Sequence, residues 1–347
     1  MGELEQGQEL GPAEPPGRLS VGITYNLKKN INTDVPDAEA EFDDPSTIYA
    51  IRDALEEYGC DVVLLEADLS LPVRLLADKP DIVFNIAEGT EGRGREAHVP
   101  ALLSYMQIPY TGSDETVMCM AMDKSLAKRL LSLHKITTPK FKVYKPSKPI
   151  STKGLKFPAI IKPNAEGSGK GINEYSIVSN AAELRSTLTH VMDLYKQEFI
   201  VEEYIDGREI TVGVLGNGDD ARVLPPMEII FRNGGQSIYS YEVKRNFKDY
   251  VDYRCPPDIS GGAMSKLMET AGRIYRILGC RDCARMDFRM GPDGRAYFIE
   301  INPLPGLAPG YSDLTILAGF CGISYNELII TILNNALARY GMRQIRI

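Results

Sequence analysis

Short apolar runs alternate along the chain with stretches in which apolar residues recur every three or four positions. SVGITY (residues 20–25) has the length and apolarity of a buried strand. Residues 45–58 place Ile48, Ile51, Leu55 and Tyr58 on one helical face, behind a capping Asp44 and a proline in the first turn. DVVLLEA (61–67) and DIVFNIA (81–87) read as the next strands. Strand, helix and strand at this spacing predict a parallel α/β sheet over the first hundred residues.

A second unit opens near Asp123 with a basic, leucine-containing helix over 124–133. FPAIIKP (157–163) is a strand that runs into a glycine-rich turn, EGSGKG (166–171), and EFIVEEYI (198–205) is a further strand. From about residue 207 the pattern becomes β-rich: EITVGVL, VLPPMEII, MDFRM and AYFIEIN surround an amphipathic helix over 264–278, and a last amphipathic helix covers 324–340. The expected organisation is a disordered tail over 1–18, an α/β unit over 19–122, a central lobe over 123–206 and a C-terminal lobe over 207–347.

Composition narrows the function. The chain has 347 residues, 44% of them hydrophobic, which is enough for two or three lobes. A net charge of −8 argues against a broad face for nucleic acid. No apolar run approaches the roughly 20 residues that span a bilayer. The first residues, rich in Gly, Pro, Glu and Gln, lack the apolar core of a secretion signal. The six cysteines are scattered, as in reduced cytoplasmic proteins. The one CxxC, Cys280 and Cys283, has no second pair to complete a zinc site.

The sharpest chemical signal is RMDFRMGPDGRAYFIEINPLPG (285–306). Asp293-Gly294 is a hairpin turn, so Asp287 faces a partner strand carrying Glu300 and Asn302, which share one face. Two carboxylates and an amide oxygen suit magnesium that also holds nucleotide phosphates. Ile299 and Ile301 are expected on the opposite, core face. Arg285, two before Asp287, can hold a phosphate or an oxyanion. In IIKPNAEGSGKGI (160–172) a strand-end Lys162 precedes small residues whose backbone N–H groups can approach phosphates. The lysine comes before the glycines, so this is not a Walker A loop. FIVEEYIDGREITVGVL (199–215) offers a strand end for adenine and ribose, and YEVKRNF (241–247) a basic loop for phosphates or a carboxylate. Each signal alone competes with an ordinary exposed strand, hairpin or loop.

Their order is more specific than any one of them. Lys124, the 160–172 loop, Glu202 to Glu209, Lys244 and then Asp287, Glu300 and Asn302 follow one another as in ATP-grasp enzymes, and the chain resembles D-alanine–D-alanine ligases from about Val21 to its end. IPYTGS (108–113), AMDK (121–124), VEEYIDGREITV and LPPMEI carry the likeness further. The resemblance implies an ATP-grasp fold, with a parallel α/β domain, a small α+β lobe and an antiparallel C-terminal sheet. It implies a cytoplasmic ligase that activates a carboxylate as an acyl phosphate and joins it to an amine. It assigns nucleotide binding to Lys124, Lys162, Glu202, Tyr204, Ile205, Glu209 and Lys244. Asp287, Glu300 and Asn302 take two magnesium ions, or manganese in their place. Arg285 stabilises the tetrahedral intermediate, Ser168 ties the glycine loop down as a lid, and Gly306 and Ser312 lie at the second substrate's carboxylate. A homodimer, small-molecule substrates, and neither membrane nor nucleic acid complete the expectation.

The departures from the family concern substrate. The GGxSxE-like segment after the first strand is replaced by TYNLKKNINTDVPDAEAEFDDPS, which leaves Glu41, Asp43 and Asp44 as candidate ammonium acids. Glu88-Gly89 stands where the family has a His-Gly pair, and Arg245 where it has a tyrosine after Lys244. Glu88 is a candidate for a positively charged group, and Arg93, Arg95, Lys170 and Arg245 for an additional carboxylate. The expected substrate is thus an amino acid or small carboxylic acid other than D-alanine. The alternatives are a D-alanine–D-alanine ligase proper, a non-catalytic ATP-binding regulator and a kinase.

Overall fold

The computed structural model describes residues 17–29, 31, 33–35, 37–232 and 240–347. The tail expected at 1–18 falls outside them except for its last two residues. In the first sheet, β1 (Ser20–Tyr25) lies between β2 (Asp61–Glu66) and β3 (Ile82–Asn85), all parallel, with Val21 beside both Val62 and Ile82. The helix Pro45–Glu57 buries Ile48, Ile51 and Leu55 on this sheet. The same core takes Leu328, Ile332 and Leu333 of the C-terminal helix Tyr325–Arg339, so the last element of the chain closes on the first.

The second sheet holds β4 (Phe141–Tyr144), β5 (Ala159–Pro163), β6 (Ile177–Val178) and β7 (Phe199–Glu203) in the order β4-β7-β5-β6, antiparallel throughout. Leu184, Leu188 and Val191 of the helix Ala181–Tyr195 pack onto Ile161, Phe199 and Val201.

The third sheet is antiparallel. It contains β8 (Arg208–Leu215), β9 (Arg222–Val223), β10 (Met227–Phe231), β11 (Val251–Arg254), β12 (Cys283–Met290) and β13 (Ala296–Asn302) in the order β11-β10-β8-β12-β13, with β9 on β8. The helix Gly261–Leu278 covers one face, burying Leu267, Ile274 and Leu278 against Met286, Phe288 and Phe298. Ser260 caps its start, and Gly279, at φ +76, ends it. With that face filled by alternate residues of β12, the other face receives Arg285, Asp287 and Arg289.

Three local expectations change. VLPPMEII is two strands, because Pro225 and Pro226 lack the N–H a ladder needs. YEVKRNF, expected as a loop, forms the short helix Tyr241–Arg245, where the Ser240 hydroxyl accepts from Val243 N; the preceding residues 233–239 lie outside the described ones. Ile299 does not share the core face with Ile301. The β12–β13 register slips between Asp287 and Phe288, so Ile299 is an extra residue, half-buried on the cleft side next to Glu300. The helix Asp313–Phe320 gave no periodic signal because it is apolar on most sides and buries Leu314 and Leu317 in the first core. No single helix among the described residues is long and apolar enough to cross a membrane. Cys280 and Cys283 are buried free thiols, and burial pushes Cys280 up to about 12.

Candidate active site

The second and third sheets face each other across a narrow cleft of about 70 Å³, floored by β12 and β13 and walled by β5 and β7. Lys124 is buried at the start of the helix Lys124–Leu133, whose cap Asp123 accepts from Leu126 N. Its Nζ lies 3.3 Å from Glu300 and donates to the Glu166 carbonyl. Lys162 on β5 pairs with Glu202 on β7 at 2.7 Å, and Glu202 also meets the fully buried Lys128 at 2.9 Å. Lys128 further donates to Thr138 Oγ1 and the Phe298 carbonyl, and burial lowers it to about 8 despite Glu202. Tyr204, Ile205, Glu209 and Lys244 line the same cleft.

Asp287 and Glu300 are direct register partners, as are Arg285 and Asn302. Arg285 donates to Asp287 Oδ2 at 3.0 Å and lies 3.6 Å from Asp313. Burial works against its charge, but Asp287 and Asp313 outweigh burial and keep the guanidinium firmly protonated. Burial likewise raises Glu300, yet Lys124, Lys162, Lys244 and Arg285 together hold its carboxyl well below the usual range. Glu300 is therefore an anion at any working pH.

A second and wider cavity of about 870 Å³ lies beside the cleft, with Arg285, Asn302, Gly306 and Ser312 on one wall and Glu88, Ser168 and Arg245 also bordering it. Lys244 borders both spaces, and a gap of about 30 Å³, lined by Glu88, Ser168, Asn302 and Glu300, lies between them. Ser312 caps the helix Asp313–Phe320, and its Oγ accepts from Ala308 N at 3.0 Å. A Cβ on Gly306 would lie 2.8 Å from that Oγ, so a side chain there would have to push the hydroxyl off Ala308 N.

The glycine loop 166–171 is fastened over this junction. Arg95, buried, donates to Glu41 Oε1 at 2.6 Å, Glu166 Oε2 at 2.8 Å and the Ala165 carbonyl at 3.0 Å. Glu41 accepts from Gly167 N at 2.5 Å. Asp37 accepts from Gly171 N at 2.6 Å and from the Tyr195 hydroxyl at 2.9 Å. Gly171, at φ +70, has no room for a side chain, since a Cβ would lie 2.5 Å from Pro163 Cγ.

The D-ala D-ala ligase C-terminus family matches residues 135–334. A D-alanine–D-alanine ligase of Aquifex aeolicus is 35% identical over 82% of this chain and 92% of its own length, and one of Bordetella petrii is 33% identical over 83% and 86%. A crystal structure of the D-alanine–D-alanine ligase of Bacillus anthracis, complexed with ATP, superposes with a TM-score of 0.73 at 22% identity, covering 93% of this chain and 99% of that one. The chain belongs to the D-alanine–D-alanine ligase family. It is an ATP-dependent ligase that forms peptide bonds, with the ATP-grasp fold.

The family uses ATP with magnesium, and the donors present fit that ion. Asp287, Glu300 and Asn302 supply hard oxygens on neighbouring strands. Among the described residues no cluster of three or more His, Cys, Asp and Glu forms a closed metal cage. Two carboxylates and an amide leave coordination positions for phosphate oxygens and water, as magnesium sites do.

Several residues that shape this ligase site carried no motif. Arg289 shares a face with Arg285 and Asp287 at the period of two, and it donates to Glu209 at 3.1 Å and to the Gly207 carbonyl at 2.8 Å. Its guanidinium sits 4.9 Å from the centre of the Tyr204 ring. Thr211, opposite Asp287 on β8, donates to it at 2.8 Å. The strand period would have found Arg289; Thr211 needed the register. The basic residues considered for an additional carboxylate separate in space. Arg95 is committed to Glu41 and Glu166, Lys170 lies 3.1 Å from Glu166, and Arg93 lies 3.5 Å from Asp123. Of those four, only Arg245 borders the wide cavity. Of the three acids after β1, Glu41 serves the glycine loop and Asp44 pairs with Lys28 at 2.9 Å, while the Asp43 carboxyl has no hydrogen-bond or ion-pair partner among the described residues, its backbone pairing with Asn26 and Lys28.

Proposed function

We propose that this ligase joins an amino acid or small carboxylic acid other than D-alanine to an amine, with ADP and phosphate as the other products. The observation that carries the reading is the wide cavity beside Arg285. Its volume of about 870 Å³ lies near the top of the range for drug-sized ligands, well beyond two alanines, and Glu88 and Arg245 border it. In the same proposal Lys124, Lys162, Glu202, Tyr204, Ile205, Glu209 and Lys244 bind the nucleotide. Asp287, Glu300 and Asn302 would hold two magnesium ions, whose charge would neutralise the phosphate oxygens. Gly306 and Ser312 bind the second substrate's carboxylate.

A carboxylate is a poor electrophile because oxide is its leaving group. Transfer of the terminal phosphoryl group gives an acyl phosphate, and a neutral amine then displaces phosphate. In this reading Lys162 and Lys244 neutralise phosphate oxygens, and Arg285 the oxyanion formed as the amine adds. The loop 166–171, with Ser168 at its tip, excludes water that would hydrolyse the acyl phosphate. The enzyme is read as a cytoplasmic homodimer, and light scattering in solution tests the dimer.

The test is phosphate release from MgATP with D-alanine alone and then with pairs of amino acids and small acids, products being identified by mass. Amide formation from another pair, with D-alanine silent, supports the proposal. Efficient turnover of D-alanine alone establishes the second reading, a D-alanine–D-alanine ligase proper, which is favoured by relatives of that name at 31–35% identity. Magnesium-dependent nucleotide binding without turnover of any pair would favour the non-catalytic reading.

A further inference from the structure

The carboxylates around the substrate space fall into two groups. Asp37, Glu39, Glu41, Asp44 and Asp313 are all engaged: Asp37 and Glu41 by the glycine loop, Glu39 by the N–H groups of Lys29 and Ile31, Asp44 by Lys28, and Asp313 by Arg285. The side-chain carboxyls of Asp43, Glu88 and Glu96 have no hydrogen-bond or ion-pair partner among the described residues. Glu96 is only 7% exposed and faces the 30 Å³ gap, Asp43 faces the wide cavity, and Glu88 borders both. Burial raises all three carboxyls, Asp43 to about 7 against the opposing pull of Lys28; neighbouring carboxylates also raise Glu88 and Glu96, and Arg95, with Lys124 at Glu96, offsets this only in part. Unpaired carboxyls in half-buried or buried places are costly as anions unless a cation arrives. The gap has room for a group about the size of a water molecule, which is the size of an ammonium. The cations bordering the wide cavity do not fill this need. Lys28 bonds Asp44, Arg285 serves Asp287 and Asp313, and among the described residues no ion pair joins Arg245 to any of the three acids.

We propose that one substrate of this ligase is an amino acid carrying a second cationic group on its side chain, an amino or guanidino nitrogen, and that Glu88, Glu96 and Asp43 select it. Two separate positions with unpaired carboxylates, one at the gap and one on the main wall, call for two cationic centres on one molecule. The proposal rests on the ligase reading above and names its substrate class. The selected group is not consumed: the amide still forms between one carboxylate and one amine, with ADP and phosphate released.

The test compares isosteric pairs, ornithine against norvaline and lysine against norleucine, each as both stereoisomers. Phosphate release and product mass are followed with MgATP and a panel of second amino acids. The expected result is at least a tenfold advantage in kcat/KM for the dicationic member. Glu88→Gln and Asp43→Asn should each raise its KM about tenfold or more and narrow the advantage over the neutral isostere. MgADP affinity and the thermal midpoint, measured on the same variants, report that they fold. Turnover of norvaline or norleucine as efficient as of ornithine or lysine overturns the selection while leaving the ligase reading intact. An advantage that survives both substitutions overturns the role of these carboxylates. Efficient turnover of D-alanine alone, or of no amino acid at all, overturns both the inference and the reading beneath it.

Discussion

Replacing Arg95 by methionine separates the glycine loop from the rest of the fold. Arg95 is 5% exposed and bridges Glu41, on the connection between β1 and the first helix, to Glu166 and the Ala165 carbonyl at the start of the loop. Methionine keeps much of the packing and removes every donor. Glu166 retains Lys170 at 3.1 Å and Gln197 Nε2 at 2.7 Å, but Glu41 keeps only Gly167 N. Stripping one partner from a buried ion pair costs about 3–5 kcal/mol. The loop can relieve that cost by opening, which returns both carboxylates to water, so the penalty should appear as opening and not as global unfolding. At about 1.4 kcal/mol per decade, it corresponds to an opening equilibrium shifted roughly 100-fold or more. Hydrogen–deuterium exchange of the peptide covering 165–172, with and without MgADP, measures that shift, and a thermal scan measures the whole fold. The expected result is much faster exchange in the loop with a midpoint moved only slightly. If the midpoint falls by about 6 °C or more while loop exchange is unchanged, the cluster supports the global fold and the reasoning is refuted.

Asp287→Asn, which keeps shape and removes charge beside Glu300 and Arg285, should raise the magnesium concentration for half-maximal phosphate release at least tenfold; an unchanged magnesium dependence would remove Asp287 from the metal set. Asp282 is fully buried and accepts from Arg339, Gly112 N and Asn217 Nδ2, each at 2.8 Å, so Asp282→Ala should lose about 3–5 kcal/mol in urea titrations with nucleotide affinity of the folded fraction retained. Burial pushes Glu96 from its ordinary 4.5 up to about 8. The folded protein therefore binds that proton more tightly than the unfolded chain, and the stability it confers is full below pH 4.5 and lost as pH rises towards 8. Glu96→Gln should flatten the fall in stability across that window, and parallel pH profiles of the two proteins would count against the assignment.

Much of the fold was legible in the sequence because its elements bury one face at a clear period. The helix over 124–133, the strand over 20–25 and the hairpin around Asp293-Gly294 stand where apolar spacing and turn residues put them. Elements without such contrast were missed. The helix Asp313–Phe320 is apolar on most sides, and Glu115–Met122 carries four methionine or alanine positions with no polar stripe. The order of Lys124, Lys162, Glu202, Lys244, Asp287 and Glu300 carried the resemblance to an ATP-dependent family, because each sits in a run whose local sequence is distinctive.

What the sequence by itself determined was the family and those elements that bury one face at a clear period. A strand's period fixes which side chains share a face, and the order of motifs fixes the reaction class. Tertiary structure decided how residues far apart in the chain divide the work. Arg95 and Glu41 meet across 54 positions, and Asp37 reaches Gly171 across 134. A one-residue slip between β12 and β13 turned Ile299 towards the cleft. That folding took Arg95 and Glu41 away from substrate and left the carboxyls of Asp43, Glu88 and Glu96 without hydrogen-bond or ion-pair partners among the described residues. Pairing of charges depends on distances that no local pattern encodes.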